Sequence, residues 1–271
     1  MRILRLTVLS LFLIVLAAYI LLNVQDSLSD KTYPIINADS DYITVPLNAT
    51  NEDLLKGITA YDEKDGDITD KIIIESISRF TEPGVSVVRY AVSDNDRHVT
   101  TLKRRIVYEN YVSPRFTVSS SLVFSTAQSV NLSSIIGAFD LIDGDISNKV
   151  IITTDDTMIN ESGSFGILVK ATNSKGDTIS EFFPVYLEER SMVAPEIQLK
   201  EYLVYRKVGE SFDPAANVES ALAVDGTDLS GELEIVSGVS ESIPGVYEVH
   251  YRATDSSGRI GHVMMLVIIE A

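Results

Sequence analysis

From residue 33 onward the chain repeats at a period of about 80 residues, and a repeat of that length sets how often one fold unit recurs. "YPIINAD" opens a first stretch at Pro34, "SPRFTV" a second at Pro114 and "APEIQL" a third at Pro195, at steps of 80 and 81 residues. A second landmark keeps the same beat. "TEPGVSVVRYAVSDND", "NESGSFGILVKATNSKG" and "ESIPGVYEVHYRATDSSG" align Gly84, Gly163 and Gly245 at steps of 79 and 82. Asp94, Asn173 and Asp255 then share one position at identical steps.

Within the aligned segments apolar and polar residues alternate. Ser86, Val88, Tyr90 and Val92 correspond to Phe165, Ile167, Val169 and Ala171, and to Tyr247, Val249, Tyr251 and Ala253. Their neighbours include Arg89, Lys170, Glu248, His250 and Arg252. A period of two, rich in β-branched and aromatic residues, predicts a half-buried antiparallel strand in each copy. "NSKG" (173–176) and "DSSG" (255–258) then supply a turn, and "TISEFFPVYL" and "IGHVMMLVII" supply the return strands of hairpins. The first copy reads "DNDR", with Arg97 where glycine falls, and predicts a different turn. Pro184 inside a strand predicts an edge or a bulge. Beyond residue 30 there is no apolar period of helical length, and Gly, Pro, Asn or Asp break the strand candidates every 8–12 residues. The expectation is an all-β chain of three tandem sandwiches, 33–110, 111–190 and 191–271, joined by short linkers.

The N-terminus is different in kind. Arg2 and Arg5 precede an uncharged run from Leu6 to Leu22, about 25 Å long as a helix, which predicts a transmembrane helix at 6–22 after a cytoplasmic 1–5. A linker at 23–32 follows, and Asp26 and Asp30 place the remainder outside the cell. The alternative is a secretory peptide cleaved near "SLS" (27–29), which also exports the chain. Removing Arg2 and Arg5 from the net charge of −17 leaves −19 on residues 23–271, a field that repels nucleic acid. With no cysteine, disulfides and thiolate chemistry are excluded.

One motif carries candidate chemistry. "YDEKDGDITDKI" (61–72) sets Asp62, Asp65, Asp67 and Asp70 around Gly66, and "FDLIDGDISNKV" (139–150) repeats it with Asp140, Asp143 and Asp145. Clustered carboxylates suit calcium, but Lys64 and Gly66 fall where a helix-flanked calcium loop needs its third and fifth ligands. Asp-Gly is equally a turn signal. In the third copy Thr227 splits Asp225 from Asp228, and Leu222 stands in the place read as that of Asp62. A turn tolerates this and a cation site does not. The turn reading leads, with calcium as its alternative.

"GITAYDEKDGDITDKI" with "PGVSVVRYAVSD", and "VGESFDP" with "PGVYEVHYRATDSSG", resemble the bacterial immunoglobulin-like domain named after a pesticidal crystal protein, over residues 33–270. The resemblance implies a sandwich fold, a place on bacterial surface or secreted proteins as spacer or binding module, and no catalytic residues. The expected function is a non-enzymatic, membrane-anchored stalk or adhesion module. A glycan- or protein-binding module, calcium-stabilised or not, is the alternative. Other residues stand out less. His250 and His262 lie on strands of one hairpin, where the reading is solvated sheet histidines rather than a two-histidine metal site. Tyr202 and Tyr205 are candidate sugar-stacking rings, and Asn48, Asn131 and Asn160 head sequons.

Overall fold

The computed structural model describes residues 2–28, 31–127, 130–154 and 163–271, and in the first helix the side chains of residues 7–21. Asn160, Asp30 and Ser29 of the candidate cleavage site lie outside the described residues, as does the side chain of Asp26. Two compact units divide the chain, Met1–Asn110 and Tyr111–Ala271.

The first unit begins with a helix, α1 (Arg2–Leu28). Val8, Leu9, Leu11, Phe12, Leu13, Ile14, Val15, Tyr19, Ile20 and Leu21 are all exposed on it. Among the described residues no helix is long and apolar enough to cross a membrane.

A sandwich follows, built from β1 (Ile35–Ala38), β2 (Tyr42–Val45), a short helix α2 (Asn51–Leu55), β3 (Ile58–Asp62), β4 (Gly66–Asp67), β5 (Ile73–Ile77), β6 (Val85–Ser93) and β7 (Val99–Tyr108). One sheet has the order β1-β3-β4 and the other β2-β7-β6-β5, with β2 parallel to β7. The predicted parity holds: Ser86, Val88, Tyr90 and Val92 of β6 are all buried. Ile36, Val45, Leu54, Ile58, Ile68, Ile72 and Ile106 complete that core. The five residues of α2 are too few to show a helical period. A capping box, in which Thr50 and Asp53 satisfy each other's backbone N–H groups, starts the helix.

The second unit uses the same strand plan twice. Its first sandwich has β8 (Arg115–Val118), β9 (Val123–Ser125), β10 (Ile136–Asp140), β11 (Gly144–Asp145), β12 (Ile151–Thr154), β13 (Gly163–Thr172) and β14 (Thr178–Glu188). These form the sheets β11-β10-β8 and β12-β13-β14-β9. Pro184 sits opposite Gly166 without a bulge, on a part of β14 that β9 does not reach, since β9 pairs only with Tyr186–Glu188. The proline occupies a local edge, as its missing N–H requires.

The last sandwich has β15 (Glu196–Leu199), β16 (Leu203–Lys207), β17 (Val218–Leu222), β18 (Glu234–Ser237), β19 (Gly245–Thr254) and β20 (Ile260–Glu270), in sheets β15-β17 and β16-β20-β19-β18. The counterpart of β4 and β11 is a single bridge, Leu222 to Asp228.

The linkers do not keep the second and third sandwiches apart. Residues 261–269 of β20 are buried without a break. Val263, Met265, Val267 and Ile269 enter the third core, while Met264, Leu266 and Ile268, on the opposite face, join Leu203 in the second core beside Phe116, Ile167 and Phe183. A strand apolar on both faces must be covered on both faces. The neighbouring sandwich supplies the second cover.

Candidate functional site

Each aspartate loop begins where a core strand ends. Asp62, the last residue of β3, is 1% exposed, and its Oδ1 accepts from the N–H groups of Lys64 (3.0 Å) and Asp65 (2.9 Å). Gly66 then takes φ +79°, a left-handed conformation that glycine adopts without steric cost. Asp67 Oδ1 accepts from the Thr69 N–H at 3.0 Å, and bonding to Thr69 holds its carboxyl below the usual range. The Thr69 hydroxyl accepts from the Ala60 N–H (3.0 Å), which ties the loop back to β3. Ile68 is buried in the core, as the alternating pattern requires.

Asp65 reaches across to the β6–β7 hairpin, taking the Asn95 N–H on Oδ2 (2.7 Å) and the Asn95 amide on Oδ1 (2.9 Å). Lys71 braces the same corner, 3.8 Å from Asp65 and 3.0 Å from Asn95 Oδ1. Asp70 is exposed on the turn that follows. The structure therefore brings Asp62, Asp65 and Asp67 into one loop and leaves Asp70 at its rim.

The second loop repeats the arrangement. Asp140 Oδ1 accepts from Ile142 and Asp143 (both 2.9 Å), and its Oδ2 accepts from Asn173 Nδ2 (3.1 Å). Asp143 binds the Ser174 N–H (2.6 Å), the Ser174 hydroxyl and Lys149 Nζ (2.8 Å). Burial alone would raise the Asp143 carboxyl, but Lys149 and Ser174 outweigh it and hold it low. Asp145 Oδ1 takes both the N–H and the hydroxyl of Ser147 (2.9 and 2.6 Å). These oxygens are occupied by the protein's own donors. Among the described residues no group of three or more acidic or histidine side chains is placed to hold a metal ion.

The loops also differ at the second oxygen of their first aspartate. Asp62 Oδ2 is buried without a hydrogen-bond partner, because Asp94 stands where the second sandwich has Asn173. Asp94 is instead spent on its own turn, with Oδ1 on the His98 N–H (2.7 Å) and Oδ2 on His98 Nδ1 (2.7 Å).

That turn corrects a sequence expectation. Arg97 adopts φ 75°, in the same left-handed region as Gly176 (88°) and Gly258 (76°), so the first hairpin turns as the other two do. What sets the turn is the side chain at its first position. Asp94 binds the N–H four residues on, as Asn173 does to Asp177 (2.9 Å) and Asp255 to Arg259 (2.9 Å).

The third loop corrects another. Leu229 donates to the Ala221 carbonyl as Ile68 does to Ala60 and Ile146 to Ala138. Ala223, not Leu222, therefore occupies the place of Asp62 and Asp140. Eight residues separate the bonded pair in all three loops, so Thr227 is no insertion: the Asp225-Gly226 pair stands one place earlier in a loop of the same length. Leu222 is instead the counterpart of Tyr61 and Phe139, and all three are exposed.

A second polar constellation lies where the third sandwich packs on the second. His250 Nδ1 is 2.9 Å from His262 Nε2, so the two histidines are neighbours, but they are not solvated: His262 is 2% exposed. His262 Nδ1 meets Glu188 Oε1 of β14 (2.8 Å), and His250 Nε2 meets Glu248 Oε2 (3.0 Å), which also accepts from the Tyr186 hydroxyl (2.7 Å). The Tyr186 ring stands edge-on to His250, with centroids 5.2 Å apart. Tyr205 belongs to the same contact. Its hydroxyl accepts from the Phe116 N–H (2.7 Å), and the Arg115 guanidinium lies over its ring at 4.8 Å. The ring face expected for sugar stacking is covered, and Tyr202 is half-buried against the third core.

No family model matches the chain. The pesticidal crystal protein Cry22Aa of Bacillus thuringiensis is 26% identical over 251 residues, 88% of this chain and 33% of that protein. An uncharacterised 81.3 kDa protein of Acholeplasma phage L2 is 30% identical over 136 residues, 49% of this chain and 18% of that protein. The chain thus spans a third or less of these relatives. Among solved structures, the CBM51-2 and INT domains of Clostridium perfringens ZmpB with GlcNAc match at 21% identity and a TM-score of 0.23, covering 55% of this chain and 26% of that one. Drosophila N-cadherin EC1-4 matches at 13% identity and a TM-score of 0.24, covering 90% and 76%. At such scores neither match relates the two arrangements in space.

Proposed function

We propose that the chain is a non-enzymatic bacterial surface protein, in which α1 anchors three immunoglobulin-like sandwiches that serve as a stalk or adhesion module. One observation supports this most: the carboxylates and histidines with the chemistry for a site are engaged in holding turns and packing sandwiches together. Asp62, Asp65, Asp140 and Asp143 bind backbone N–H groups, and the histidine pair is closed between carboxylates. On this reading the aspartate loops are clamps that need no calcium. The anchoring part rests on α1, whose apolar side chains face outward along residues 8–21 and must be covered by something other than water. Lipid is the cover consistent with Arg2 and Arg5 ahead of an uncharged run.

The test is fractionation of cells producing the full chain. The account expects the protein in the membrane pellet, released by detergent and not by alkaline carbonate, with the sandwiches digested by protease added outside intact cells. Recovery in the medium without residues 1–28 would replace the anchor with a cleaved leader.

A binding role has one observation in its favour. Tyr61, Phe139 and Leu222 put an exposed apolar side chain at the same place in all three sandwiches, each opposite a loop aspartate, Asp67, Asp145 and Asp228. A pull-down from bacterial surface extracts with the full chain in detergent, repeated with Tyr61→Ser and Phe139→Ser, separates the roles. Loss of a captured partner in the variant favours binding, and identical silent results favour a spacer.

A further inference from the structure

The run Glu188–His262–His250–Glu248–Tyr186 places five titratable groups in one line across the contact between the second and third sandwiches. Glu188 and Tyr186 come from β14 of the second sandwich, Glu248 and His250 from β19, and His262 from β20 of the third. Strand parity brings them there. His262 shares the face of β20 that carries Met264, Leu266 and Ile268 into the second core, and Arg252 lies opposite His262 on β19. Past the end of β14, Arg190 Nη1 donates to the His262 carbonyl (3.2 Å). The groups are strung head to tail and do not converge on a point, so they form a proton chain and not a metal cage.

Counting hydrogens gives the chain its property. A carboxylate oxygen only accepts, so His262 Nδ1 facing Glu188 and His250 Nε2 facing Glu248 must each carry a hydrogen. The inner contact, Nδ1 of His250 to Nε2 of His262 at 2.9 Å, needs one hydrogen between two nitrogens. Three hydrogens on four nitrogens amount to one imidazole and one imidazolium, a single positive charge held between two carboxylates. A fourth hydrogen sets N–H against N–H at that distance. Loss of the third sets lone pair against lone pair.

We propose that this chain is a proton-operated latch between the second and third sandwiches, closed while the two imidazoles share one proton and opened by a second. Burial first of all, then the charges of Arg252 and His250, hold His262 below its ordinary value of 6.5, against the pull of Glu188. The sign follows from linkage. An unfolded or released His262 takes up its proton before the latched one, so the latch's contribution is lost as the pH falls below about 6.5. Two contacts of the chain cross between sandwiches, Glu188 to His262 and Tyr186 to Glu248, so breaking the chain loosens the sandwiches from one another.

The full chain in detergent tests this directly. It has no cysteine, so Ser180→Cys on exposed β14 and Ser237→Cys on exposed β18 accept spin labels without background. The distance distribution between them is to be narrow at pH of about 7.5 and to widen about twofold, or gain a second population, at pH of about 5. His250→Gln with His262→Gln is to abolish that change. An unchanged native distribution between the two pH values, or the same change in the double variant, overturns the proposal. If the double variant does not fold, ring-nitrogen NMR on the native chain decides. Three ring hydrogens on the pair at neutral pH, with the fourth arriving together with the displaced distance population, supports the latch. Two or four at neutral pH refutes it.

Discussion

Arg97 is the residue at which the chain departs furthest from ordinary backbone chemistry. A side chain with a Cβ at φ 75° costs about 1–2 kcal/mol relative to glycine, and glycine returns part of that through its greater freedom when unfolded. Arg97→Gly is therefore expected to stabilise the first sandwich by about 0.5–1 kcal/mol, read as a raised urea midpoint at unchanged slope. Asp143 tests the clamps in the opposite sense. Asp143→Ala removes the acceptor of the Ser174 N–H, the Ser174 hydroxyl and the Lys149 ammonium, and is expected to cost about 1–3 kcal/mol. The same urea titration with and without millimolar calcium checks the loop's chemistry: the clamp account expects coincident curves, and a calcium-raised midpoint restores the cation reading.

At the scale of elements, the hairpin turns and aspartate loops share one pH dependence. Hydrogen bonds from Lys149 and Ser174 to Asp143, and from Arg259 and Ser257 to Asp255, overcome the raising effect of burial, so both carboxyls titrate below their ordinary value. A depressed carboxyl contributes stability above the unfolded value of about 3.9 and loses it as pH falls through the folded value. The gap in stability between the native chain and Asp143→Asn is accordingly expected to be constant above pH of about 5 and to shrink below about 4, followed by chemical denaturation across that range.

Much at this scale was legible in the sequence. The alternation around Val88, Val169 and Val249 gave strand and buried face together, because side chains on a strand point to opposite faces in turn. Asp-Gly gave the positive φ of Gly66, Gly144 and Gly226. The frame of the third loop was hidden, since its Asp-Gly pair stands one residue earlier in a loop of unchanged length, and only the bond from Leu229 to Ala221 reveals it. The similarity of the first turn was hidden too, since the bonds from Asp94 to His98 are tertiary geometry and Arg97 gives no local sign of φ > 0.

For the molecule as a whole, the physics lies in how apolar surface is shared. The sequence carried the signal for the second and third sandwiches: "GHVMMLVII" lacks the alternation of every other long strand, so both of its faces require cover. What it did not carry was the identity of that cover, since a two-faced strand is equally suited to a neighbour in the same chain or to a partner. The structure answers with Phe116, Ile167 and Phe183, and with Ser121, whose hydroxyl accepts from the Met264 N–H at 2.8 Å. Two sandwiches joined through a core are expected to open together, whereas beads on a string melt one by one. The loops and turns of the second and third sandwiches and the proton chain then act on a common piece.

Met264 belongs to the third sandwich by sequence and to the second by packing, so Met264→Ala isolates that claim. Truncating a buried methionine costs about 2–5 kcal/mol. Hydrogen exchange followed by mass spectrometry on the full chain is expected to quicken in β13 and β14 of the second sandwich as well as in β19 and β20 of the third. Faster exchange confined to β19 and β20, with β13 and β14 as protected as in the native chain, would contradict the shared core.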